Sequence, residues 1–418
     1  MPFIKPFRGL RYNLKKVGSI NSVATPPYDI ISPEQQRAFY AKHPNNFIRV
    51  VYGKPLPGDN DSSNIYSRAK KTLDAWVAGG ILSADKEPSI YPYQKEYTIG
   101  GKKFSRWGIV TLVRLDRSAI YPHEETRTKP KQDRLKLLET LQASLSPLFG
   151  LIPDGNHAYE KLIRGWAGKK KPMLTARLDG VTHRVWAVSK PAEIARLKKF
   201  LAAKPLIIAD GHHRCEAAFM YRDAMKAKQK KYSADDPSNF AMFYLSAAGE
   251  EDPGLLPTHR VLRKATAAGL IQLEKSITKT ARITKVATSK ALLERLHRLR
   301  AKGKVAVGFY RKRAPHWILE RKADKPGQLD VEWLHNDILI PWLGLAGDKE
   351  LITFTQDPRE AVAWVKNNRA AAVFFVQQPR LTEVYRRAKA RQRMPRKTTY
   401  FHPKPLAGLV EYKFELPE

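Results

Sequence analysis

The sequence predicts an α/β protein with α+β elements, built as a strand–turn–helix core with an N-terminal segment before it and a C-terminal α/β domain after it. Three observations carry this. Residues 205–220, PLIIADGHHRCEAAFM, run from an apolar strand at 206–209 through Asp210-Gly211 into a helix. Residues 89–115 hold two alternating, β-rich runs around Gly100-Gly101, the pattern of a hairpin. Beyond residue 265, helical and strand-like runs alternate, which implies helices packed on a sheet. The expected divisions are an N-terminal α/β segment at 1–115, the core at 116–262 with an insertion at about 145–200, and a C-terminal α/β domain at 263–418.

Taken in order, Pro26-Pro27 forces an extended backbone before Tyr28-Asp29. Asp29 reads as a turn-former, with a placed functional carboxylate as the alternative. Ser32-Pro33 opens a helix through Ala41, residues 45–53 (NNFIRVVYG) read as a strand, and IYSRAKKTLDAWVAGG is an amphipathic helix stopped by Gly79-Gly80. After the hairpin, the spacing of Leu135, Leu138 and Leu141 predicts a helix over 133–144, and LFGLI a buried strand. Residues 156–204 add a helix, two strands and the helix PAEIARLKKFLAA. NFAMFYLSA is a further strand. In the last third, KVAVGFYRK, HWILERK, LITFT and AAAVFFVQQP are strands among the helices SKALLERLHRLRAKG, VEWLHNDILIPWLG, PREAVAWVKNN and LTEVYRRAKARQR.

The chain has 418 residues, 43% hydrophobic content and eight tryptophans, enough for a sizeable core and against general disorder. No run reaches the ~18 apolar residues of a membrane span, and the opening MPFIKPFRGLRY lacks the apolar stretch of a secretory signal. A single cysteine, Cys215, excludes an internal disulfide and fits a reducing cytoplasm, so a cytoplasmic protein without membrane contact is expected. Lys+Arg number 75 against 40 Asp+Glu, a formal charge of +35. Such a surface attracts nucleic acid and phosphorylated small molecules alike. The basic residues are spread along the chain instead of gathered in a tract, so nucleic acid is a partner left open and not favoured.

The chemistry concentrates at 209–214, ADGHHR. Gly211 permits an abrupt turn, the N–H groups opening the helix favour an anion, and Arg214 is placed for bidentate phosphate contacts. Asp210 is then the acid–base or metal-holding group beside that anion, with magnesium shared between Asp210 and a nucleotide's phosphates more natural than zinc on His212 and His213. Adjacent helical side chains point about 100° apart, so the two histidines do not readily grip one ion. His123-Glu124-Glu125 offers a general base, yet Arg127 stands where a zinc-protease HExxH has its second histidine. His259 and Arg260 after Pro257-Thr258, and Lys397-Thr398 in the closing segment, are further candidates for an anion site. Cys215 reads as a packing residue before a nucleophile. No GxxxxGK[ST] loop and no GxGxxG after a strand is present.

The ordered set SVATPPYDIIS, PHEET followed by DR, ADGHHR, LPTHR and MPRKTTYFHPK with a following GLV resembles the bacterial and archaeal family called domain of unknown function 1015, over essentially the whole chain. Cys215 stands where that family usually has Tyr, and Thr398 where it often has Ser. More distantly, His-Glu before a DR-bearing helix, then an apolar strand ending in DGHHR, resembles the ParB-like fold, which includes free-serine kinases. That resemblance implies a ParB-like core and nucleotide-dependent phosphorylation of free L-serine, with ATP or ADP and Mg²⁺. It implies catalytic roles for Glu124 and Asp210, with His123 beside them, and a phosphate-binding turn at Gly211, His212, His213 and Arg214. The alternatives are a nucleotide-dependent ParB-like DNA-binding protein, or a phosphatase or nuclease.

Overall fold

The alternating runs of the first 252 residues close into one mixed sheet of nine strands. Its strands are β1 (Ile4–Lys5), β2 (Tyr91–Ile99), β3 (Lys102–Arg114), β4 (Ile120–Tyr121), β5 (Leu148–Pro153), β6 (Leu174–Leu178), β7 (Val181–Val185), β8 (Leu206–Asp210) and β9 (Phe240–Ala248). They lie in the order β4-β8-β5-β9-β3-β2-β7-β6, with β1 added against β3. The computed structural model describes residues 3–168, 170–202, 204–249, 252–323, 327–343 and 351–415. Two compact units divide the chain: Met1–Asp252 with Pro403–Glu418, and Pro253–His402.

The expected hairpin is present, with β2 and β3 antiparallel from Tyr91↔Val110 to Ile99↔Lys102. Gly100 and Gly101 make its turn at φ 57° and 80°, backbone that residues with a Cβ resist. β5 is buried along almost its whole length because it is flanked by β8 on one side, antiparallel, and β9 on the other, parallel. The core beside it gathers Ile109, Val113, Ile120, Leu148, Leu206 and Phe243.

Helices α1 (Pro33–Lys42), α2 (Ile65–Ala78), α3 (Thr128–Leu141), α4 (Ala158–Ala167), α5 (Pro191–Leu201) and α6 (His212–Lys228) belong to the same unit. Ser32 caps α1 in a reciprocal box with Gln35, as its position before Pro33 predicts. α3 starts at Thr128, earlier than the leucine spacing alone indicates, and ends at Leu141. Residues 45–53 depart from the expected strand: Ile48–Val51 is a helical turn. The Asn46 side chain decides this, accepting from the Ile48 N–H at 3.0 Å and donating to the Ser22 carbonyl at 2.7 Å. A short apolar run such as FIRVV carries no periodicity to separate the two outcomes.

The chain returns to this unit at its end. Ala407 and Thr25 exchange backbone hydrogen bonds of 2.9 and 3.1 Å, Glu411 and Leu10 do the same, and Tyr412–Lys413 pairs with Ala143–Ser144. Residues on both sides of 115 thus share one sheet, and the closing segment belongs with them.

The second unit holds a six-stranded sheet of β10 (His259–Leu262), β11 (Arg282–Val286), β12 (Val305–Arg311), β13 (His316–Arg321), β14 (Ile352–Thr355) and β15 (Ala372–Phe375), in the order β11-β13-β12-β15-β10-β14. Its pairs are antiparallel. Helices α7 (Ala267–Thr280), α8 (Ser289–Ala301), α9 (Pro358–Lys366) and α10 (Leu381–Lys389) alternate with those strands as expected. Among the described residues, no helix is long and apolar enough to cross a membrane.

Candidate functional site

β4 and β8 are parallel neighbours, paired Ile120↔Leu206 and Tyr121↔Ile207. Parallel strands side by side release their following loops at the same sheet edge, the usual place for a ligand site in α/β folds. PHEET leaves β4 there, and Asp210-Gly211 ends β8 there. The His123 ring is fully buried and meets the His212 ring edge to face, centroids 4.7 Å apart. The Arg127 N–H donates to His213 Nε2 at 3.1 Å, so this ring nitrogen carries no proton in that bond. Glu124 lies half-buried on the same loop. The two motifs singled out in the sequence are therefore brought together.

The head of α6 takes its shape from Gly211, at φ 89°. A Cβ there would lie 2.9 Å from both Arg214 Nη2 and Leu148 Cδ2. Gly211 is also the N-cap and brings no side chain to the first turn of α6, whose dipole favours negative charge. Arg214 points inward. Its Nη1 donates to Ser146 Oγ at 2.6 Å, to the Pro147 carbonyl at 2.9 Å and to the Ser146 carbonyl at 3.2 Å, while Nη2 donates to Asp210 Oδ2 at 2.9 Å. Where the sequence suggests a phosphate contact, this guanidinium braces the strand end against the loop before β5.

The other oxygen of Asp210 meets Lys404. Lys404 Nζ lies 2.5 Å from Asp210 Oδ1 and 2.8 Å from Asp29 Oδ2, with the lysine side chain only 4% exposed. Both oxygens of Asp210 thus face protein cations. Among the described residues no group of three or more His, Cys, Asp or Glu is arranged to hold a metal. The donor set does not fit a divalent ion resident on Asp210, because such an ion requires carboxylate oxygens that here serve an ammonium and a guanidinium.

Behind this cluster sits a second buried cation. Lys95 is fully buried, donates to the Pro403 carbonyl at 2.6 Å, and lies 4.4 and 4.1 Å from the ring centres of Phe149 and Tyr244. Burial drives its ammonium well below the usual lysine range, with Arg106 adding to the effect and Asp252 and Asp210 opposing it. Arg106, opposite Lys95 across the hairpin, is ion-paired with buried Asp252. Sequence reasoning missed Lys95 although a signal exists: it shares the inward face of β2 with Tyr91, Tyr93 and Tyr97 at a period of two. Lys404 was legible as part of a basic closing segment with the look of a phosphate-contacting loop, and Asp29 as a turn residue with a placed functional carboxylate as the alternative.

Next to Arg214, a cleft is lined by Leu138, Leu148, Ala217, Tyr221 and Phe414, with Tyr28, Arg134 and Ser146 as polar members. The Arg134 guanidinium stands 3.9 Å from the Tyr28 ring centre. A largely apolar recess with a few polar groups suits a small molecule with an apolar part.

His259, Arg260, Lys397 and Thr398 lie in the second unit and are described within it. His259 is buried in β10, 5.2 Å from the Phe375 ring, and burial with the nearby Arg260 charge pushes its pKa down to about 3. Arg260 donates from Nε to His335 Nε2 at 3.3 Å and from Nη2 to the Arg396 carbonyl at 3.1 Å, which joins it to the backbone of the MPRKTT segment. Thr398 Oγ1 turns back to the Pro395 carbonyl at 2.5 Å, and Lys397 is half-buried at φ 56°. Cys215 is buried in the core of the first unit, a packing residue.

The model of the family described as "Protein of unknown function (DUF1015)" matches residues 4–332, and the chain belongs to that family. No curated protein matches it. Among solved structures, a conserved hypothetical protein from Pyrococcus furiosus is 14% identical, over 73% of this chain and 95% of that one, at a TM-score of 0.37. A free serine kinase in complex with AMP is 12% identical over 72% of this chain and 91% of that one, at a TM-score of 0.38. A mutant free serine kinase in complex with ADP is also 12% identical, over 72% and 92%, at 0.36.

Proposed function

We propose that this member of the DUF1015 family transfers a phosphoryl group from ATP or ADP to the hydroxyl of a small metabolite, with free L-serine as the acceptor its motifs imply. One observation supports the reading: the parallel pairing of β4 and β8, with His123 of the loop after β4 against His212 at the head of α6. Phosphoryl transfer needs little more than positioning, neutralised phosphate oxygens and a group to receive the hydroxyl proton. The first-turn N–H groups of α6 bind the phosphate, and Glu124 accepts the proton of the attacking hydroxyl. His213, its Nε2 fixed by the Arg127 N–H, orients the loop that carries Glu124. Asp210, between Arg214 and Lys404, holds the helix head in register with the strand end. Magnesium enters only as the ion a nucleotide's phosphates bring with them.

The test is phosphoserine formation from serine with ATP or ADP in the presence of Mg²⁺. Glu124→Gln is expected to lower turnover by at least ~100-fold, the scale of a lost general base, without unfolding the protein. A wild-type protein that makes no phosphoserine with either donor rejects the serine-kinase reading. A Glu124→Gln variant as fast as wild type rejects the assignment of the base.

A further inference from the structure

The positive charge of the chain is not shared evenly between its two units. Residues 253–402 hold 31 Lys+Arg against 12 Asp+Glu, a formal +19 of the chain's +35 in 150 of its 418 residues. Within that unit the sheet gathers part of the excess at one rim. β12 and β13 pair antiparallel from Val305↔Arg321, and β12 pairs with β15 at Gly308↔Phe375. The start of β12 therefore lies beside the end of β13 and the segment that follows β15. α8 ends just before β12, and α10 begins just after that segment. Arg380 Nη2 donates to the Arg300 carbonyl and Gln377 Nε2 to the Ala306 carbonyl, both at 3.0 Å, which draws the two helix ends together. Arg298, Lys302, Lys304, Lys322 and Arg380 are all exposed on these segments.

The acids of this rim are treated differently from its cations. Glu332 and Glu383 both pair with Arg387, whose side chain is only 5% exposed, Asp337 pairs with Arg321, and buried Asp330 accepts from the Gln377 N–H. Among the described residues, no carboxylate stands within ion-pair distance of Arg298, Lys302, Lys304, Lys322 or Arg380. Negative charge is thus neutralised inside the unit, and positive charge is turned outward. Binders of single strands add exposed aromatic side chains on which bases stack, and membrane-surface elements add apolar side chains among their cations. Among the described residues, the exposed large apolar side chains of this unit are Ile271 and Ile340, neither aromatic and neither on the rim segments. A duplex keeps its bases stacked and its phosphates outside, so cations alone suffice to hold it. We propose that this rim of the second unit docks on the phosphate backbone of a nucleic-acid duplex without reading its sequence. This goes beyond the phosphoryl-transfer reading and does not depend on it.

Fluorescence anisotropy of the full chain with a labelled DNA duplex of about 20 base pairs, in roughly 50 to 200 mM KCl, tests the proposal. Wild type is expected to bind, with an affinity that falls steeply as salt rises. Lys302→Ala, Lys304→Ala and Lys322→Ala combined should weaken binding at least ~10-fold and flatten the log–log salt slope by about 2–3, the share of three phosphate contacts. Lys54→Ala, Lys71→Ala and Lys86→Ala combined remove the same charge from exposed positions of the first unit. That control should change affinity less than ~2-fold, because charges beyond a Debye length are screened. The six positions are exposed, and unchanged melting temperatures check that both variants fold. Wild type without salt-dependent binding overturns the proposal, and so do equal losses in the two triple variants, which would make the charge a general background. Tighter binding of the single strand, or of phosphatidylserine vesicles at equal phosphate concentration, overturns it as well.

Discussion

Gly211→Ala perturbs the point where backbone and site chemistry meet. The position sits at φ 89° and ψ 28°, and the left-handed conformation costs a residue with a Cβ about 1–2 kcal/mol. The new methyl would also stand 2.9 Å from Arg214 Nη2, 2.9 Å from Leu148 Cδ2 and 3.1 Å from Arg214 Cζ. Relieving such crowding in a packed region costs about 1–3 kcal/mol. The expected loss is therefore about 2–5 kcal/mol, read by urea denaturation with hydrogen exchange in β8 and α6 to localise it to the first unit. Because much of the clash is with the Arg214 guanidinium, a double-mutant cycle with Arg214→Ala should show a favourable coupling of about 1 kcal/mol. A Gly211→Ala loss below about 0.5 kcal/mol, or strictly additive effects in the cycle, would refute this account of the helix head.

Two further expectations concern pH. In the second unit, burial, with the nearby Arg260 charge adding to it, pushes His259 and His335 down to about 3, while burial raises Asp330 to about 6. The depressed histidines contribute stability that is present above their unfolded pKa and lost as pH falls, about 2 kcal/mol each by pH 5, whereas Asp330 opposes them by gaining about 1 kcal/mol over the same range. A net loss from pH 7 to 5, halved or more by His335→Gln and followed by hydrogen exchange in β10, is expected; a flat profile contradicts it. In the first unit, Glu411 is buried and accepts from the Gly408 N–H, and burial raises its carboxyl well above the usual range against the pull of that N–H and of Arg214. A raised carboxyl favours the fold fully in acid and loses that contribution as pH rises. Glu411→Gln should therefore match wild type at acid pH and exceed it increasingly above neutrality; a variant weaker than wild type in alkali would show the carboxylate to be charged in the fold.

The strand–turn–helix at 205–220 was legible because its signals are local: an apolar run, a glycine that alone tolerates the turn, and a helical continuation. The meeting of PHEET with ADGHHR depends on which strands pair, and β4 contributes only Ile120–Tyr121 to that pairing, too short to show in periodicity. The helical turn at Ile48–Val51 was set by one asparagine's hydrogen bonds, which composition does not display. The role of Lys404 was out of reach for another reason: it finds Asp29 across 375 residues, after the chain has built an entire second unit in between. Arg214 shows the converse. The residue type at a helix head suits a phosphate, and only the positions of Ser146, Pro147 and Asp210 show that Nη1 and Nη2 bond inside the protein.

We propose one phosphate-binding site shared by His123-Glu124 and the head of α6. Hydrogen exchange of the full chain titrated with ADP and Mg²⁺ tests it most directly, whatever the acceptor proves to be. The segments 122–127 and 210–216 are expected to become protected together, with a single dose dependence. Protection confined to one of the two, or appearing only in the second unit, would contradict it.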